Sequence, residues 1–168
     1  MDNDAAKWHL WTDHIISEVN STIMEEMLNI VTMILDDDTQ MLELIELALK
    51  DAGIKNYRLF FSDTDFIDGL SENMHILVID HHLNGTVDGL DVMRRAIKKN
   101  PNVFVIAMSG NDDSRLIVEY LNEGANRFVL KKERDYLEQL VKFVRQGINR
   151  FVTDLEFFKR QETLLNAY

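Results

Sequence analysis

The chain has 168 residues, of which 46% are hydrophobic and 28% are charged, so its composition predicts a soluble globular protein with a buried core. The net charge of −11 argues against a nucleic-acid surface or binding to anionic membrane, and the absence of cysteine excludes disulfides, thiolate metal sites and cysteine nucleophiles. No apolar run approaches the roughly 20 residues of a membrane span, and the acidic beginning lacks a signal-peptide core, so we expect a cytoplasmic protein.

The first predicted element is an amphipathic helix within residues 1–28. Apolar residues recur there at helical spacing, which predicts one apolar face. These residues are Trp8, Trp11, Ile15, Val19, Ile23 and Met27. We therefore expect residues 1–28 to form a helical extension before the main domain.

From Asn29 to Gly147 short apolar runs alternate with amphipathic stretches. The apolar runs are long enough for buried strands and too short for helices. They are Ile30–Leu35, Tyr57–Phe61, His75–Ile79, Val103–Met108 and Arg127–Leu130. Strands that alternate with helices form a parallel sheet covered on both faces. We predict a doubly wound α/β domain with five parallel strands over residues 29–147.

The last predicted helix begins near Tyr136 and continues past the length that one sheet face needs. Its apolar residues are spaced four and three apart, as in a heptad repeat. They are Leu137, Val141, Val144, Ile148, Phe151, Leu155 and Phe158. Gly147 costs this helix about 1 kcal/mol but does not end it. We predict a C-terminal helical extension over residues 148–168.

The distal part of this heptad stripe, from Phe151 onward, is expected to form an exposed apolar seam. Monomeric proteins rarely expose such a seam. We expect a homodimer in which the final helices pair and the N-terminal helices pack alongside. The alternative is that the two terminal helices cover each other within one chain.

Polar side chains follow four of the five predicted strands. These are Asp36, Asp37 and Asp38 after the first strand, Asp80 after the third, Ser109 after the fourth and Lys131 after the fifth. In open parallel sheets, ligands bind beyond the carboxyl ends of the strands. Converging carboxylates repel one another and attract a divalent cation, for which oxygen ligands favour Mg²⁺ over zinc. A cation, a carboxylate nucleophile, a hydroxyl and an ammonium favour phosphoryl transfer.

Single motifs in this set have simpler interpretations. The three aspartates Asp36–Asp38, taken alone, are also typical of a helix N-cap with acidic first-turn residues. The side chains of His81 and His82 are weak candidates for metal ligands, because adjacent side chains diverge and no third histidine follows at a useful spacing. The order of the whole set therefore carries more weight than any one member.

Taken together, these residues resemble the receiver domains of two-component response regulators. The resemblance covers about residues 29–147 and implies the flavodoxin-like strand order 2-1-3-4-5. Ile30–Asp38 is similar to the family's first strand and acidic pair. Ile76–Leu90 is similar to the phosphoacceptor strand and loop, in the variant with one additional loop residue, through Leu83, Gly85, Asp88 and Gly89. Val103–Gly110 and Gly124–Lys132 match the Ser/Thr and lysine segments.

The resemblance implies that Asp80 accepts a phosphoryl group from a phosphohistidine on a sensor histidine kinase or phosphotransfer protein. Lys131 would pair with the incoming phosphoryl group, and Ser109 would donate a hydrogen bond to it. Ser109 and Phe128 would then form the switch pair. The protein would be a self-catalysed phosphoacceptor with slow dephosphorylation rather than a dedicated enzyme, and its output would run through protein contacts.

The resemblance also implies a Mg²⁺ site. Asp37, Asp80 and the backbone carbonyl of His82 would bind the ion directly, and Asp36 would act through water.

The sequence departs from the family pattern at two prolines and one aromatic residue. Lys132 replaces the proline that usually follows the lysine, and Asn84 replaces a common loop proline. Phe128 lacks the hydroxyl of the tyrosine found in many chemotaxis receivers. None of these changes removes one of the residues expected to carry the chemistry.

Two other functions are compatible with parts of the sequence. A haloacid-dehalogenase-like phosphatase would use Asp36 and Asp38, but Gln40 stands where a Thr or Val belongs and Asp80 would have no role. A degenerate receiver would act only as an interaction module.

Overall fold

The computed structural model describes residues 29–71, 73–85 and 87–165, with side chains described through Phe157. The chain divides into two compact units, one of which comprises Ile30–Phe151, while the described part of the other consists of Asn29 and the residues from Val152 onward. The predicted helix within residues 1–28 lies outside the described residues. None of the helices in the described part is both long and apolar enough to cross a membrane.

Among the described residues, five strands form one parallel sheet. They are β1 (Thr32–Leu35), β2 (Tyr57–Phe60), β3 (Ile76–Asp80), β4 (Phe104–Ser109) and β5 (Arg127–Leu130). Their order across the sheet is β2-β1-β3-β4-β5, and every neighbouring pair is parallel. The predicted flavodoxin-like fold is therefore confirmed.

The strands alternate with helices along the chain. The helices are α1 (Thr39–Asp51), α2 (Asp63–Asp68), α3 (Gly89–Lys99), α4 (Ser114–Asn122) and α5 (Tyr136–Leu165). The strands β1, β3 and β4 are fully buried, whereas the edge strands β2 and β5 are partly exposed. The continuous apolar runs of the central strands follow from this burial on both faces.

Side-chain caps begin the helices α1 to α4. Asp38, Ser62, Asp88 and Asp113 each have a non-helical backbone and accept a hydrogen bond from an amide of the first turn. Such caps satisfy backbone donors that have no partner within the helix. Because each cap lies in the loop after a strand, the four helices begin at the carboxyl edge of the sheet.

The helix α5 continues through Gly147 as predicted. A Cβ atom on Gly147 would lie 2.9 Å from the ring of Phe104 and 3.0 Å from the side chain of Ile76. Glycine therefore lets the helix backbone pack closely against the sheet, which offsets the low helix propensity of this residue. Because α5 has no break at Gly147, the structure marks no boundary there. The predicted limits of the main domain (29–147) and of the C-terminal extension (148–168) stay predictions.

The expected apolar seam does not begin at Phe151. The Phe151 ring is half-buried and packs edge to face against His75, with 5.1 Å between the ring centroids. The expectation for this residue was wrong because a heptad pattern does not distinguish a partner helix from the edge of the chain's own sheet. Leu155 is also partly buried, and the side chain of Phe158 lies outside the described residues.

Candidate functional site

Three carboxylates form a cluster at the carboxyl edge of the sheet. Asp36 follows β1 and Asp80 ends β3, and these two strands are neighbours in the sheet. Asp37 joins them, and one carboxylate oxygen from each of the three lies within 4.8 Å of the others. Asp36 and Asp80 are buried and Asp37 is partly exposed, so the cluster is open to solvent on the Asp37 side.

The ammonium of Lys131 binds two of these carboxylates. Its Nζ atom lies 2.6 Å from Asp36 Oδ2 and 2.7 Å from Asp80 Oδ1, and the lysine side chain is only 14% exposed. Its backbone amide donates a hydrogen bond to the carbonyl of Ser109 at 2.8 Å. One buried cation is therefore shared between two buried anions, which leaves the group with an excess of negative charge.

Burial and the neighbouring charges both act on the pKa values of the cluster. Burial raises the pKa of Asp36 above its usual value, and the charge of Asp80 acts in the same direction, whereas Lys131 opposes both. Burial acts to lower the pKa of Lys131, but its hydrogen bonds to Asp36 and Asp80 and their charges outweigh burial and raise that pKa. The lysine is thus held in its charged form.

The donor set fits a magnesium ion. It consists only of carboxylate oxygens, which Mg²⁺ prefers. Two oxygens bound to one Mg²⁺ at about 2.1 Å are at most about 4.2 Å apart, so small side-chain movements bring the three carboxylates into range. The negative charge that Lys131 leaves uncompensated favours binding of a cation.

The loop after Asp80 is bonded to the carboxylate cluster through its backbone. The amide of His82 donates to Asp80 Oδ2 at 3.0 Å, and the amide of Asn84 donates to Asp37 Oδ2 at 2.7 Å. The ring of His82 contacts the ring of His81 edge to face, with 4.6 Å between centroids. The backbone of this loop, rather than its imidazoles, therefore makes the contacts with the carboxylates.

The two residues of the expected switch pair lie on neighbouring strands. Ser109 is the last residue of β4 and is fully buried, and its hydroxyl accepts a hydrogen bond from the amide of Asn111 at 3.0 Å. Phe128 on β5 is the register partner of Ala107, two residues before Ser109. Since residues two apart in a strand face the same side, Ser109 and Phe128 project from the same face of the sheet.

Asp38 has a different role from its two neighbours. Its carboxylate accepts hydrogen bonds from the amides of Gln40 at 2.9 Å and Met41 at 3.3 Å, and so caps α1. The run of three aspartates therefore combines both sequence interpretations, with two residues in the cluster and one at the helix end.

Lys132 binds outside the cluster. Its ammonium forms an ion pair with Asp112, which joins the loop after β5 to the loop after β4. The peptide bond between Lys131 and Lys132 is trans. The residue that replaces the usual proline thus makes a surface contact between two loops at the edge of the site.

Tyr120 is a buried residue near the site that the sequence did not single out. Its hydroxyl lies 3.1 Å from His81 Nδ1, and its ring packs edge to face against Phe128 at 5.6 Å. Burial raises the pKa of Tyr120, so it stays protonated. The only available sequence indication was its place in the apolar stripe of α4, which does not distinguish it from an ordinary core residue.

The fold and this arrangement define the class of protein. Residues 32–145 match the family model described as the response regulator receiver domain, and because this is more than half of the chain, the protein belongs to that family. Receiver domains are components of two-component signalling and are not, in general, dedicated enzymes.

Similar solved structures have the same fold at low sequence identity. The receiver domain of the Francisella response regulator 1452 superimposes with a TM-score of 0.65 at 22% identity, over 73% of this chain and 99% of that one. The response regulator DrrB of Thermotoga maritima, an OmpR/PhoB homologue, gives 0.63 at 21% identity, over 72% of this chain and 53% of its own.

A curated relative is the C4-dicarboxylate transport transcriptional regulatory protein DctD of Rhizobium meliloti. It is 28% identical over 98 residues, which are 58% of this chain and 21% of that protein. The chain therefore spans about a fifth of the length of this relative.

The Lys131 ion pairs generate a prediction about stability. In Lys131→Met, Asp36 and Asp80 lose their cation, and we expect the free energy of unfolding at pH 7 to fall by about 3 kcal/mol. The pKa of Asp36, already raised by burial, rises further without the lysine. Asp36 then binds a proton more tightly in the folded variant than in the unfolded variant. The free energy of unfolding of Lys131→Met therefore increases as pH falls through this raised pKa, and its difference from wild type becomes smaller.

Urea denaturation of wild type and Lys131→Met across a pH series measures this difference in the free energy of unfolding. The matched control is Lys132→Met, because its ammonium pairs with an exposed carboxylate, so we expect its loss to change the free energy of unfolding only slightly. Equal losses in the two variants, or a deficit independent of pH, would contradict the role given to Lys131.

Proposed function

We propose that this receiver domain accepts a phosphoryl group on Asp80 from a phosphohistidine of a sensor histidine kinase or phosphotransfer protein. The observation that carries the proposal is the Asp80 carboxylate, which lies within a carboxylate cluster and 2.7 Å from a charged lysine. Phosphoryl transfer depends mainly on positioning and on neutralisation of negative charge, and this arrangement supplies both.

In the proposed reaction a carboxylate oxygen of Asp80 attacks the phosphorus atom. A P–O bond forms, the P–N bond to the donor imidazole breaks, and the imidazole leaves with the bonding electrons. Lys131 moves its ion pair from the Asp80 carboxylate to the phosphoryl oxygens, and the hydroxyl of Ser109 donates a hydrogen bond to them. The product is an acyl phosphate on Asp80.

Asp37, Asp80 and the backbone carbonyl of His82 are the proposed direct ligands of Mg²⁺, with Asp36 acting through water. When bound, the ion neutralises charge on the phosphoryl oxygens and on the acidic residues. The chain's own contribution is to arrange these oxygens and to keep Lys131 charged.

Ser109 and Phe128 are the proposed switch pair. Ser109 would turn towards the phosphoryl group, and Phe128 would follow and alter the surface formed by α4, β5 and α5. Phe128 already packs on Tyr120 of α4, so a change in its position reaches that helix directly.

The output is proposed to run through protein contacts in the cytoplasm. The net charge of −11 disfavours binding of nucleic acid by this chain itself. Slow, self-catalysed loss of the phosphoryl group would limit the lifetime of the signal.

The two alternative functions receive less support. The phosphatase interpretation requires the carboxylate of Asp38 in the site, whereas this carboxylate caps α1. A degenerate receiver would have lost part of the acceptor machinery, whereas Asp36, Asp37, Asp80, Ser109 and Lys131 are all present.

The first test concerns the acceptor. Incubation with a small phosphodonor such as acetyl phosphate and Mg²⁺ should add one phosphoryl group, and Asp80→Asn should abolish the addition. Intact-mass spectrometry measures both. The matched control is Asp88→Asn, in the same loop, because asparagine caps α3 as well as aspartate does. Equal labelling of wild type and Asp80→Asn would rule out Asp80 as the acceptor.

The second test concerns the cation. Asp37→Asn removes a proposed direct ligand, so we expect the Mg²⁺ affinity, measured by titration calorimetry, to fall at least about tenfold. Its control is Asp38→Asn, which makes the same charge change one residue later and retains the cap of α1. Undiminished affinity in Asp37→Asn would remove this residue from the ligand set.

We also propose a homodimer formed through the terminal helices. The support is the heptad spacing of the final helix and its length, since α5 continues for 14 residues beyond Phe151, from Val152 to Leu165. Packing of the two terminal helices within one chain is the alternative. Both arrangements would bury the apolar stripe, so the oligomeric state distinguishes them.

Sedimentation at micromolar concentration should give twice the 19.6 kDa chain mass, and Leu155→Glu should reduce it. Leu155 is preferred to Phe151 because the latter packs against His75 within the sheet domain. Thr153→Glu, an exposed position off the stripe, is the control. A wild-type chain that stays monomeric at high concentration would exclude the homodimer and favour packing of the two terminal helices within one chain.

A further inference from the structure

A third buried carboxylate, that of Asp63, lies outside the acidic cluster. Asp63 is the first residue of α2 and is only 7% exposed, whereas Asp65 in the same helical turn is exposed. Burying a carboxylate costs free energy unless hydrogen-bond donors surround it. The helix itself does not require this aspartate, because the cap of α2 is Ser62, whose hydroxyl accepts from the amide of Asp65.

The donors around Asp63 come from two parts of the chain. Its Oδ1 atom accepts from the amide of Thr64 at 2.9 Å and from the Thr64 hydroxyl at 3.4 Å. Its Oδ2 atom accepts from the amide of Val87 at 3.4 Å. Val87 belongs to the loop between Asp80 and α3, so the carboxylate links α2 to the loop that follows the proposed acceptor.

Gly85 in the same loop packs directly against this carboxylate. A Cβ atom at Gly85 would lie 2.3 Å from Asp63 Cγ and 2.4 Å from each of its oxygens, so any side chain at this position would force the carboxylate to move. Gly85 does not have a positive φ, so its backbone conformation is open to alanine. The group that a side chain at position 85 would displace is therefore the Asp63 carboxylate.

The other end of the loop is bonded to the acidic cluster. The amides of His82 and Asn84 donate to Asp80 and Asp37, as described above. The loop is thus attached on one side to the proposed phosphoacceptor and metal ligands, and on the other side to Asp63. A loop held at both ends loses fewer conformations when it binds a ligand, so the second attachment lowers the entropy cost of forming the site.

We propose that Asp63 is a positioning residue for phosphoryl transfer, which acts by fixing the loop residues His82–Gly85 and Val87 beside the carboxylate cluster. This inference rests on the proposed function. Asp63 acts through its contacts with the backbone of Gly85 and Val87. The contacts with the buried carboxylate restrict the conformations that this loop can adopt.

The direct test is Asp63→Asn. The amide group retains the shape of the carboxylate but places a donor NH₂ where one oxygen accepted, so either Thr64 or Val87 loses its acceptor. We expect the Mg²⁺ affinity and the rate of labelling by acetyl phosphate to fall about tenfold to a hundredfold, as for other residues that orient metal ligands. The control is Asp65→Asn, which makes the same charge change two residues later and leaves both quantities unchanged.

Hydrogen exchange separates positioning from general destabilisation. In Asp63→Asn the amides of Asn84 and Val87 should exchange at least tenfold faster, while amides of the central strand β3 keep their wild-type protection. Equal exchange at Asn84 in wild type and Asp63→Asn would overturn the proposal. If wild type is labelled on Asp80 and Asp63→Asn is labelled equally fast, the positioning role fails and the acceptor assignment stands.

A double-mutant cycle tests the contact between Asp63 and Gly85. Gly85→Ala alone should weaken Mg²⁺ binding, because the new methyl group displaces the carboxylate and the loop. In Asp63→Ala the carboxylate is gone, so adding Gly85→Ala should cause less than a twofold further loss. Independent effects that simply add would contradict the direct contact. Hydrogen exchange at Asn84 in wild type, the two single variants and the double variant shows whether Asp63 fixes the loop. This measurement does not depend on whether wild type accepts a phosphoryl group.

Discussion

The ion pair of Lys131 with Asp36 and Asp80 is the interaction on which the rest of the site depends. It joins the ends of β1, β3 and β5, and therefore crosses most of the width of the sheet. One ammonium lies between two buried carboxylates and offsets only part of their formal charge. A fully compensated pair would have little affinity for a cation, and an uncompensated pair would become protonated or destabilise the fold.

Much of this arrangement could be predicted from local sequence, because parallel sheets place strand ends at one edge. The central strands are continuous apolar runs that end in Asp36, Asp80 and Ser109, so these residues marked both the fold and the site. The division of the three adjacent aspartates could not be predicted. It depends on backbone direction after β1, which turns the third carboxylate towards the amides of α1.

Contacts between distant parts of the chain account for what the sequence did not predict. Tyr120 and His81 are separated by 39 positions, and Asp63 and Val87 by 24. A tyrosine in an apolar stripe and an aspartate at a helix start have ordinary local explanations, so neither indicates a role near the site. Phe151 was assigned to a solvent-exposed seam for a related reason, since periodicity reports one helical face but not the surface that covers it.

The separation of 95 positions between Asp36 and Lys131 also bears on the order of folding. Closing so long a loop costs conformational entropy, which later contacts must offset. A partly folded chain in which β5 has not joined the sheet would contain Asp36 and Asp80 close together without their cation. Such an intermediate is electrostatically unfavourable, so the charges that we propose to support phosphoryl transfer also oppose accumulation of an incomplete sheet. Only a chain in which β5 has joined the sheet would then have the complete proposed site for accepting a phosphoryl group.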